Sequence, residues 1–479
     1  MKSLLILLFI ITTVLGYPAH VFAITGPEVE GRSLMLMERT TGTVLFEVNA
    51  NQRIFPASTT KILTALVMSE HIRPDEIILI GPETHLTPPG SSRAFLVENT
   101  HISGINLLRG IIITSGNDTA NVIAREVARR VSGNSNISFE EGEHFFAELM
   151  NEKAIELGAL NSSFVNAHGF HHESHFSTPY DMALIARAAL EVPILAQIFA
   201  ESSYVGPSVI GDIPEGLTLS NYNWNTGNLL LREDSEHYFP YATGMRTGFH
   251  NHAQHALVAS AVKDGFELIA GSFQSRVDAR FSNSISMFNY GFDNYGFWQI
   301  QRDGTIVDNI NFHNPMLGEV ANMDVMVVGD FTDILQRRNF DRVVQRITYT
   351  PGLFHFPSDE ELTLDEWLDD PRPRLILPIE EGTEIGEILY TINGATVHTA
   401  KIVATMSASA RTMETDFYFY RARFLEYITS VQSAPVWLVI LVIILLILRS
   451  IFKLIRRNRR RKMFDGKSDR RLHYRYRRY

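Results

Sequence analysis

The chain has 479 residues, of which 45% are hydrophobic and 20% are charged, a composition typical of a folded globular protein and not of a disordered one. This length allows two or three domains with sizeable cores. Cysteine is absent, which excludes disulfide bridges, thiolate metal sites and a cysteine nucleophile.

The net charge of −10 conceals a strongly basic C-terminal tail. Residues 449–479 carry 14 lysines and arginines against 2 acidic residues, whereas residues 1–448 carry 29 basic and 51 acidic groups. The acidic body argues against nucleic-acid binding by the main part of the chain. An adjacent anionic membrane surface explains the basic tail better, with nucleic-acid binding as its alternative.

The N-terminus has the pattern of a secretory signal. Met1-Lys2 precedes an apolar run, and small residues stand at the first and third positions before a cleavage point after Ala23. A short basic region, an apolar region and such small residues are typical of a cleaved signal peptide, which we predict over residues 1–23. The alternative is an uncleaved anchor.

The region that follows the signal mixes strand and helix patterns. Two apolar runs flank a turn at Thr41-Gly42 and predict a β-hairpin. We predict helices at about 58–71, 107–113, 118–131, 140–157 and 180–190, and strands at about 255–274. An early hairpin, a helical middle and late strands predict an α+β fold, in which a helical cluster lies on an antiparallel sheet.

The pattern then changes to short alternating runs with turn signals, which predict a small β-sandwich over residues 293–408. Residues 409–433 are rich in phenylalanine and tyrosine and form either an interfacial aromatic belt or an ordinary amphipathic linker. The apolar run at 434–452 approaches the roughly 20 residues that a transmembrane helix needs. The positive-inside rule then places the tail, 453–479, in the cytoplasm and residues 24–433 outside the cell.

Three short motifs carry the chemistry, and the first is Ser58 with Lys61. These residues stand three apart at the start of a helical run, where positions i and i+3 share a face. A lysine with a lowered pKa can take the proton of a neighbouring serine and make it a nucleophile. Alone, such a pair is more often a capping serine and a solvent-facing lysine.

Two further motifs argue against a purely structural role for Ser58 and Lys61. Ser115-Gly-Asn117 follows a helical run, and Arg246-Thr247-Gly248 precedes Phe249 and a strand-like run. The order S-x-x-K, then S-x-N, then a basic residue followed by T-G, is the signature of the penicillin-interacting serine enzymes.

The residues around these motifs resemble the D-alanyl-D-alanine carboxypeptidases, the low-molecular-mass penicillin-binding proteins of serine peptidase family S11. The matching stretches are 41–47, 56–58, 115–118, 166–169, 175–181 and 244–248. The resemblance implies a penicillin-binding, β-lactamase-like transpeptidase domain at residues 24–292 and more loosely extends to about 405. It implies a bacterial enzyme that acts on peptidoglycan stem peptides ending in D-Ala-D-Ala, binds β-lactams as inhibitors and needs no cofactor.

The resemblance also implies the catalytic roles. Ser58 attacks the penultimate carbonyl carbon, and Lys61 accepts the hydroxyl proton. Ser115 relays a proton to the departing D-Ala, while Asn117 holds the acyl-chain amide and positions Lys61. The N–H groups of Ser58 and Phe249 hold the oxyanion.

The terminal carboxylate of the substrate is expected to bind the third motif. Arg246 and Thr247 contact it, with Gly248 beside them, and Arg280 resembles a second carboxylate-binding arginine, for which a surface salt bridge is the alternative. The family usually has lysine where this chain has Arg246. Arginine keeps the charge and can bind a carboxylate with two N–H groups, but any role that needs a neutral lysine is in doubt.

Four histidines within residues 168–175 could in principle supply metal ligands. The resemblance instead places His168 and His175 in a structural loop near the cleft, so we predict no metal site. Two alternatives to the carboxypeptidase function remain at this point: a β-lactamase, which is normally smaller and has S-D-N, and a catalytically impaired wall-binding or scaffold protein. Transpeptidase activity also stays open, because the motifs do not reveal the acyl acceptor.

Overall fold

The computed structural model describes residues 26–210, 213–355, 372–430 and 434–472. The predicted signal peptide at 1–23 and its cleavage point lie outside the described residues, as does the end of the tail at 473–479. The chain divides into two compact units. One runs to Trp298 and includes Ile334–Phe340, and the other contains Gln299–Asp333 and the chain from Asp341 onward.

Among its described residues, the first unit contains nine complete strands and seven α-helices. The strands are β1 (Ser33–Glu38), β2 (Val44–Val48), β3 (Ile77–Leu79), β4 (His101–Ser103), β5 (Ser203–Pro207), β6 (Asn221–Asn225), β7 (Ala242–His250), β8 (Gln254–Lys263) and β9 (Phe266–Ser275). The helices are α1 (Lys61–His71), α2 (Gly104–Ile112), α3 (Asn117–Ser132), α4 (Phe139–Glu156), α5 (Pro179–Glu191), α6 (Pro193–Phe199) and α7 (Ala279–Asn294).

Five of the strands form one antiparallel sheet in the order β2-β1-β9-β8-β7. Strands β1 and β2 pair as the predicted hairpin, with Leu36 opposite Phe46. Strand residues alternate between the two faces of a sheet, and both faces of β1 are buried. Met35 and Met37 pack into a core with helices α1 to α6, whereas Leu34 and Leu36 pack into a second core with α7. The predicted α+β class is confirmed.

Several elements depart from the predictions. Ser58 does not lie in an α-helix but in a 3-10 turn, Ala57–Thr60, that leads directly into α1. The third motif lies within a strand, β7, that we did not predict, and neither α6 nor α7 was predicted. Small residues such as Gly244 and Gly248 interrupt the apolar alternation of β7, so its sequence lacks the usual strand pattern.

The second unit is rich in strands, as predicted. The chain after α7 contains β10 (Tyr295–Gln301), β11 (Ile306–His313), β12 (Asn322–Val327), β13 (Phe331–Gln336), β14 (Val343–Tyr349), β15 (Phe354–His355), β16 (Arg374–Ile376), β17 (Glu384–Ile392) and β18 (Ala395–Ala404), of which β10 and β13 have residues in both units. Seven of these strands form a sheet in the order β14-β17-β18-β12-β11-β16-β15. Its core contains Val325, Ile385 and Ile402, which are fully buried.

Two helices follow the strands, α8 (Met413–Thr429) and α9 (Ala434–Leu472). The segment Ala434–Arg457 of α9 is long and apolar enough to cross a membrane. None of its most apolar stretch is buried against the described protein. This segment contains the predicted span at 434–452.

Candidate active site

The 3-10 turn that carries Ser58 is held tightly by its neighbours. Ala57 has a positive φ of 49°, an unfavourable backbone conformation for alanine. Gly169, with φ of 80°, packs directly against this turn, since a Cβ at position 169 would lie 1.8 Å from the Ala57 carbonyl oxygen. The turn and the loop around residue 169 can therefore meet only because residue 169 has no side chain.

Lys61 is fully buried beneath Ser58. Its Nζ lies 3.0 Å from Ser58 Oγ, 2.7 Å from Asn117 Oδ1 and 2.7 Å from the His168 carbonyl oxygen. Burial, and after it the charge of Arg246, hold the pKa of Lys61 well below its usual value, while Asp118 acts in the opposite direction. Both causes favour the neutral amine.

A neutral lysine amine can donate only two of the three hydrogen bonds that Lys61 Nζ makes. A neutral amine has two N–H donors and one lone pair. The Asn117 Oδ1 atom and the His168 carbonyl oxygen are acceptors only, so each takes one N–H. The lone pair then faces Ser58 Oγ, the one contact of the three that also has a hydrogen to donate.

The second motif lies between helices α2 and α3. Ser115 has a positive φ of 64°, a conformation that costs a non-glycine residue about 1–3 kcal/mol. Its Oγ atom is buried and has no hydrogen-bond partner among the described residues. Asn117 is the first residue of α3, and its backbone N–H donates to the Ser92 carbonyl at 2.9 Å. A strained serine with an unused buried hydroxyl is typical of a functional site.

Strand β7 passes close to the nucleophile turn. A Cβ on Gly248 would lie 3.0 Å from the Pro56 carbonyl oxygen and 3.2 Å from the Ser58 nitrogen, so this approach also depends on a glycine. Thr247 lines the cavity beside Gly248, and the exposed ring of Phe249 stacks on His255 with ring centroids 4.3 Å apart.

Arg246 is 2% exposed and contacts the helix that precedes the second motif. Its Nη1 atom donates a hydrogen bond to the carbonyl of Ile112, while its Nε atom is buried without a partner among the described residues. Burial, and then the charge of Arg280, lower the pKa of Arg246, although an arginine stays protonated near neutral pH.

Arg280 comes from α7, far along the chain, and reaches the same cavity. Its Nη1 atom lies 3.0 Å from His255 Nδ1, and its Nε atom is buried without a partner in the described part of the chain. Burial lowers its pKa. The alternative that Arg280 forms a surface salt bridge has no support here, since no carboxylate within ion-pair distance of it is found among the described residues.

One cavity of about 830 Å³ brings the predicted site residues together. It is lined by eight of them: Ser58, Ser115, Asn117, Arg246, Thr247, Gly248, Phe249 and Arg280. Lys61, the ninth, lies behind Ser58. No aspartate or glutamate occurs among the described residues that line this cavity.

The histidines at 168 and 175 have protein partners. His175 lies 2.8 Å from Thr60 Oγ1 through Nε2, and its Nδ1 accepts from the Val165 N–H. Burial lowers the pKa of both His168 and His175 to about 3, so both rings are neutral at pH 7. His175 thus holds the nucleophile turn through its contact with Thr60.

Some residues of the site received no functional role in the sequence analysis. Asp118 is buried and accepts the N–H groups of Ala94 and Leu96 at 2.8 and 3.0 Å, which fixes a loop that lines the cavity through Ser92. The stretch 115–118, which resembles the family, includes Asp118, but it gave this residue no role. The rim residues His250 and His252 were likewise not predicted.

Comparisons with known proteins agree with this architecture. The family profile described as D-alanyl-D-alanine carboxypeptidase, peptidase family S11, matches residues 20–276. The D-alanyl-D-alanine carboxypeptidase DacF of Bacillus subtilis is 31% identical over 270 residues, which cover 56% of this chain and 63% of the relative, just under two thirds of its length. DacC of Escherichia coli is 26% identical over 396 residues, covering 79% of this chain and 84% of the relative.

Among solved structures, the D-alanyl-D-alanine carboxypeptidase DacD of Francisella tularensis matches with a TM-score of 0.59 and 21% identity. The match covers 83% of this chain and 98% of that one. At this level of identity the likeness concerns the fold alone.

Proposed function

The chain belongs to the D-alanyl-D-alanine carboxypeptidase family of serine peptidases, and we propose that it removes the terminal D-Ala from peptidoglycan stem peptides through an acyl-enzyme on Ser58. The observation that carries this proposal is the arrangement around Lys61 Nζ, which leaves a lone pair for the Ser58 hydroxyl in a site that favours the neutral amine. We further propose that β-lactams acylate the same serine.

In the first step, Ser58 Oγ bonds to the carbonyl carbon of the penultimate D-Ala while Lys61 takes the hydroxyl proton. The oxyanion is held by the backbone N–H groups of Ser58 and Phe249. The close approach of Gly248 to the Ser58 nitrogen supports this pairing, because it brings the backbone of β7 beside the nucleophile turn.

Collapse of the intermediate breaks the C–N bond to the terminal D-Ala, whose amine needs a proton. Ser115 is assigned to relay that proton from Lys61, since its buried hydroxyl has no other partner in the described structure. Asn117 keeps Lys61 in place through the 2.7 Å contact and is also assigned to the amide of the acyl chain. Water then hydrolyses the acyl-enzyme and frees Ser58.

The terminal carboxylate is assigned to Arg246, Thr247 and Arg280. The two arginines line a cavity whose described lining has no acidic residue, and each has an Nε–H without a partner there. A carboxylate is the group that such donors bind most strongly. Arg246 in place of the usual lysine keeps the charge, and its hydrogen bond to Ile112 ties β7 to the helix before the second motif.

We also propose the location of each part in the cell. Residues 24–292 form the catalytic domain, 293–408 a separate β-rich domain and 409–433 a juxtamembrane linker. The apolar segment of α9 spans the membrane once, with residues 24–433 outside the cytoplasm and the basic tail inside.

The test is intact-mass spectrometry of the purified protein after incubation with a penicillin, beside a Ser58→Ala variant. We expect one stable adduct on the wild type only, and release of D-Ala from a D-Ala-D-Ala peptide. No adduct with intact drug would indicate a catalytically impaired protein. No adduct with consumed drug would indicate a β-lactamase.

A further inference from the structure

Four rings form a cluster at the rim of the cavity, from Phe55, His171, His250 and His252, which we call the rim cluster. His171 and His252 stack face to face, with centroids 3.9 Å apart and planes within 4°. His250 lies 5.3 Å from His171, and Phe55 meets His171 edge-on at 4.8 Å. The three imidazoles line the cavity that contains Ser58.

The stacking argues against a metal site in the rim cluster. Imidazole nitrogens bind a metal ion through lone pairs in the ring plane. In two parallel rings these lone pairs point in parallel planes and do not converge on one ion. The rim cluster is therefore better suited to an organic ligand.

The position of the rim cluster follows from the proposed function. On β7, the residues assigned to the substrate carboxylate together with Arg280 are Arg246 and Thr247, and the N–H assigned to the oxyanion belongs to Phe249, further along the same strand. The part of the peptide that is N-terminal to D-Ala-D-Ala must extend away from the bound carboxylate. In that direction lies His250, the last residue of β7. The rim cluster therefore lies where the residue that precedes D-Ala-D-Ala is expected.

The electrostatic character of the cavity selects the kind of group that can bind there. Its described lining contains the buried Arg246, the half-buried Arg280 and five histidines but no aspartate or glutamate. A site with excess positive charge favours anions and disfavours a free ammonium group.

The rim cluster also provides a defined hydrogen-bond donor. Burial, with His171 and His252 nearby, lowers the pKa of His250 to about 4, so the ring is neutral at pH 7. His250 Nδ1 accepts the Ala253 N–H at 3.0 Å, which leaves the proton on Nε2. His171 Nε2 lies 3.4 Å from Glu173, but that carboxylate is 81% exposed, and a ligand can displace it.

We propose that the rim cluster is a subsite that binds a carboxylate on the side chain of the residue preceding D-Ala-D-Ala. This inference rests on the proposed function, because that function sets the direction of the peptide. Phe55 packs against the imidazoles and fixes their orientation, while His171, His250 and His252 supply the N–H donors.

The test compares two peptides, acetyl-L-Glu-D-Ala-D-Ala and acetyl-L-Gln-D-Ala-D-Ala, which have nearly the same shape and differ in one charge. D-Ala release by the full-length protein gives kcat/KM for each at pH 7. We expect a Glu/Gln ratio of roughly 10 to 100, the effect of one hydrogen bond to a charged group. The ratio should fall to about 1 in the double variant His171→Asn, His250→Asn.

The ratio does not depend on the fraction of folded enzyme, because misfolded protein reduces both rates equally. His172→Asn is the matched control, since His172 lies in the same loop, is exposed and does not line the cavity. It should keep the wild-type ratio.

The outcomes separate the two proposals. A ratio near 1 in the wild type, with D-Ala released from both peptides, overturns the subsite and leaves the carboxypeptidase function intact. A high ratio that survives in the double variant also overturns the subsite. If neither peptide releases D-Ala, the proposed function fails, and the subsite fails with it.

Discussion

Lys61 Nζ lies 3.0 Å from Ser58 Oγ in a site that is closed to solvent at the lysine. Because Ser58 is activated only when the amine is neutral, the acidic limb of the pH profile should report the Lys61 pKa. Burial and Arg246 lower that pKa, so acylation by a β-lactam should reach its plateau well below the value of about 10.4 for a free lysine. A limb that rises only near that value would contradict the assignment of Lys61 as the base.

Arg246 should influence that limb through its charge. Arg246→Gln removes a neighbouring cation, so the Lys61 pKa should rise and the acidic limb should move to higher pH. The measurement is the pH at which the acidic limb of the acylation rate lies. This pH separates a change in the Lys61 pKa from a loss of substrate binding, which lowers the rate without moving the limb. Arg246→Lys, which keeps the charge, is the control and should leave the limb in place. If the acidic limb of the Arg246→Gln variant stays at the wild-type pH, the charge of Arg246 does not affect the pKa of Lys61.

Arg246 should also contribute to carboxylate binding. Arg246→Ala should lower kcat/KM for a D-Ala-D-Ala peptide about 10- to 100-fold, since a hydrogen bond to a charged group is worth roughly 1.5–3 kcal/mol. Steady-state kinetics of D-Ala release measure this loss. Kinetics close to the wild type would remove Arg246 from the carboxylate site and leave its contact with Ile112 as a purely structural one.

Gly169 should be essential for the shape of the nucleophile turn. Gly169→Ala puts a Cβ 1.8 Å from the Ala57 carbonyl oxygen, so the turn or the loop must move. We expect acylation of Ser58 to fall at least 100-fold, because displacements of about 1 Å at a reacting centre have costs of this size. Rates of adduct formation by mass spectrometry measure it.

Gly158→Ala is the matched control for that substitution. Gly158 has the same φ of 80°, but a Cβ at position 158 would lie 3.9 Å from its nearest neighbour, Leu184 Cδ1. The variant should show only the backbone penalty of about 1–2 kcal/mol in the free energy of unfolding and a normal acylation rate. Equal acylation rates in the two variants would mean that the clash has no effect on the site.

Ser115→Ala should separate activity from stability. It removes a buried hydroxyl that has no partner in the described structure and is expected to leave the Tm unchanged or slightly raised. Turnover should still fall about 10²- to 10⁴-fold, the usual contribution of a positioned proton-transfer group. A drop in Tm with normal turnover would instead assign Ser115 a structural role.

The anchor can be tested by ending the chain after Ser430. The full chain should stay in the membrane fraction, and the truncated chain should appear in the soluble fraction, because it lacks the apolar segment Ala434–Arg457. If the truncated chain stays with membranes, then the exposed aromatic residues of α8, such as Phe417 and Phe424, bind the interface. Fractionation followed by immunodetection distinguishes these outcomes.

The sequence by itself determined the family and the three motifs from which the candidate site was inferred. The motifs at Ser58, Ser115 and Arg246 are short stretches whose residue types indicate a chemical role. Their order along the chain can be read without knowing which residues are in contact. The hairpin β1–β2 was also predictable, since two apolar runs on either side of a tight turn are local properties.

Only the tertiary structure decided how these residues act together. The lowered pKa of Lys61 depends on burial and on the charge of Arg246, which lies 185 positions later in the chain, and no local sequence pattern reveals that effect. Arg280 reaches His255 and the cavity only because α7 packs beside β8. The 3-10 turn at Ser58 is held by neighbours such as Gly169, and Ser115 has a left-handed backbone between two packed helices. Contacts between distant segments set these conformations against local preference, so the sequence could not show them.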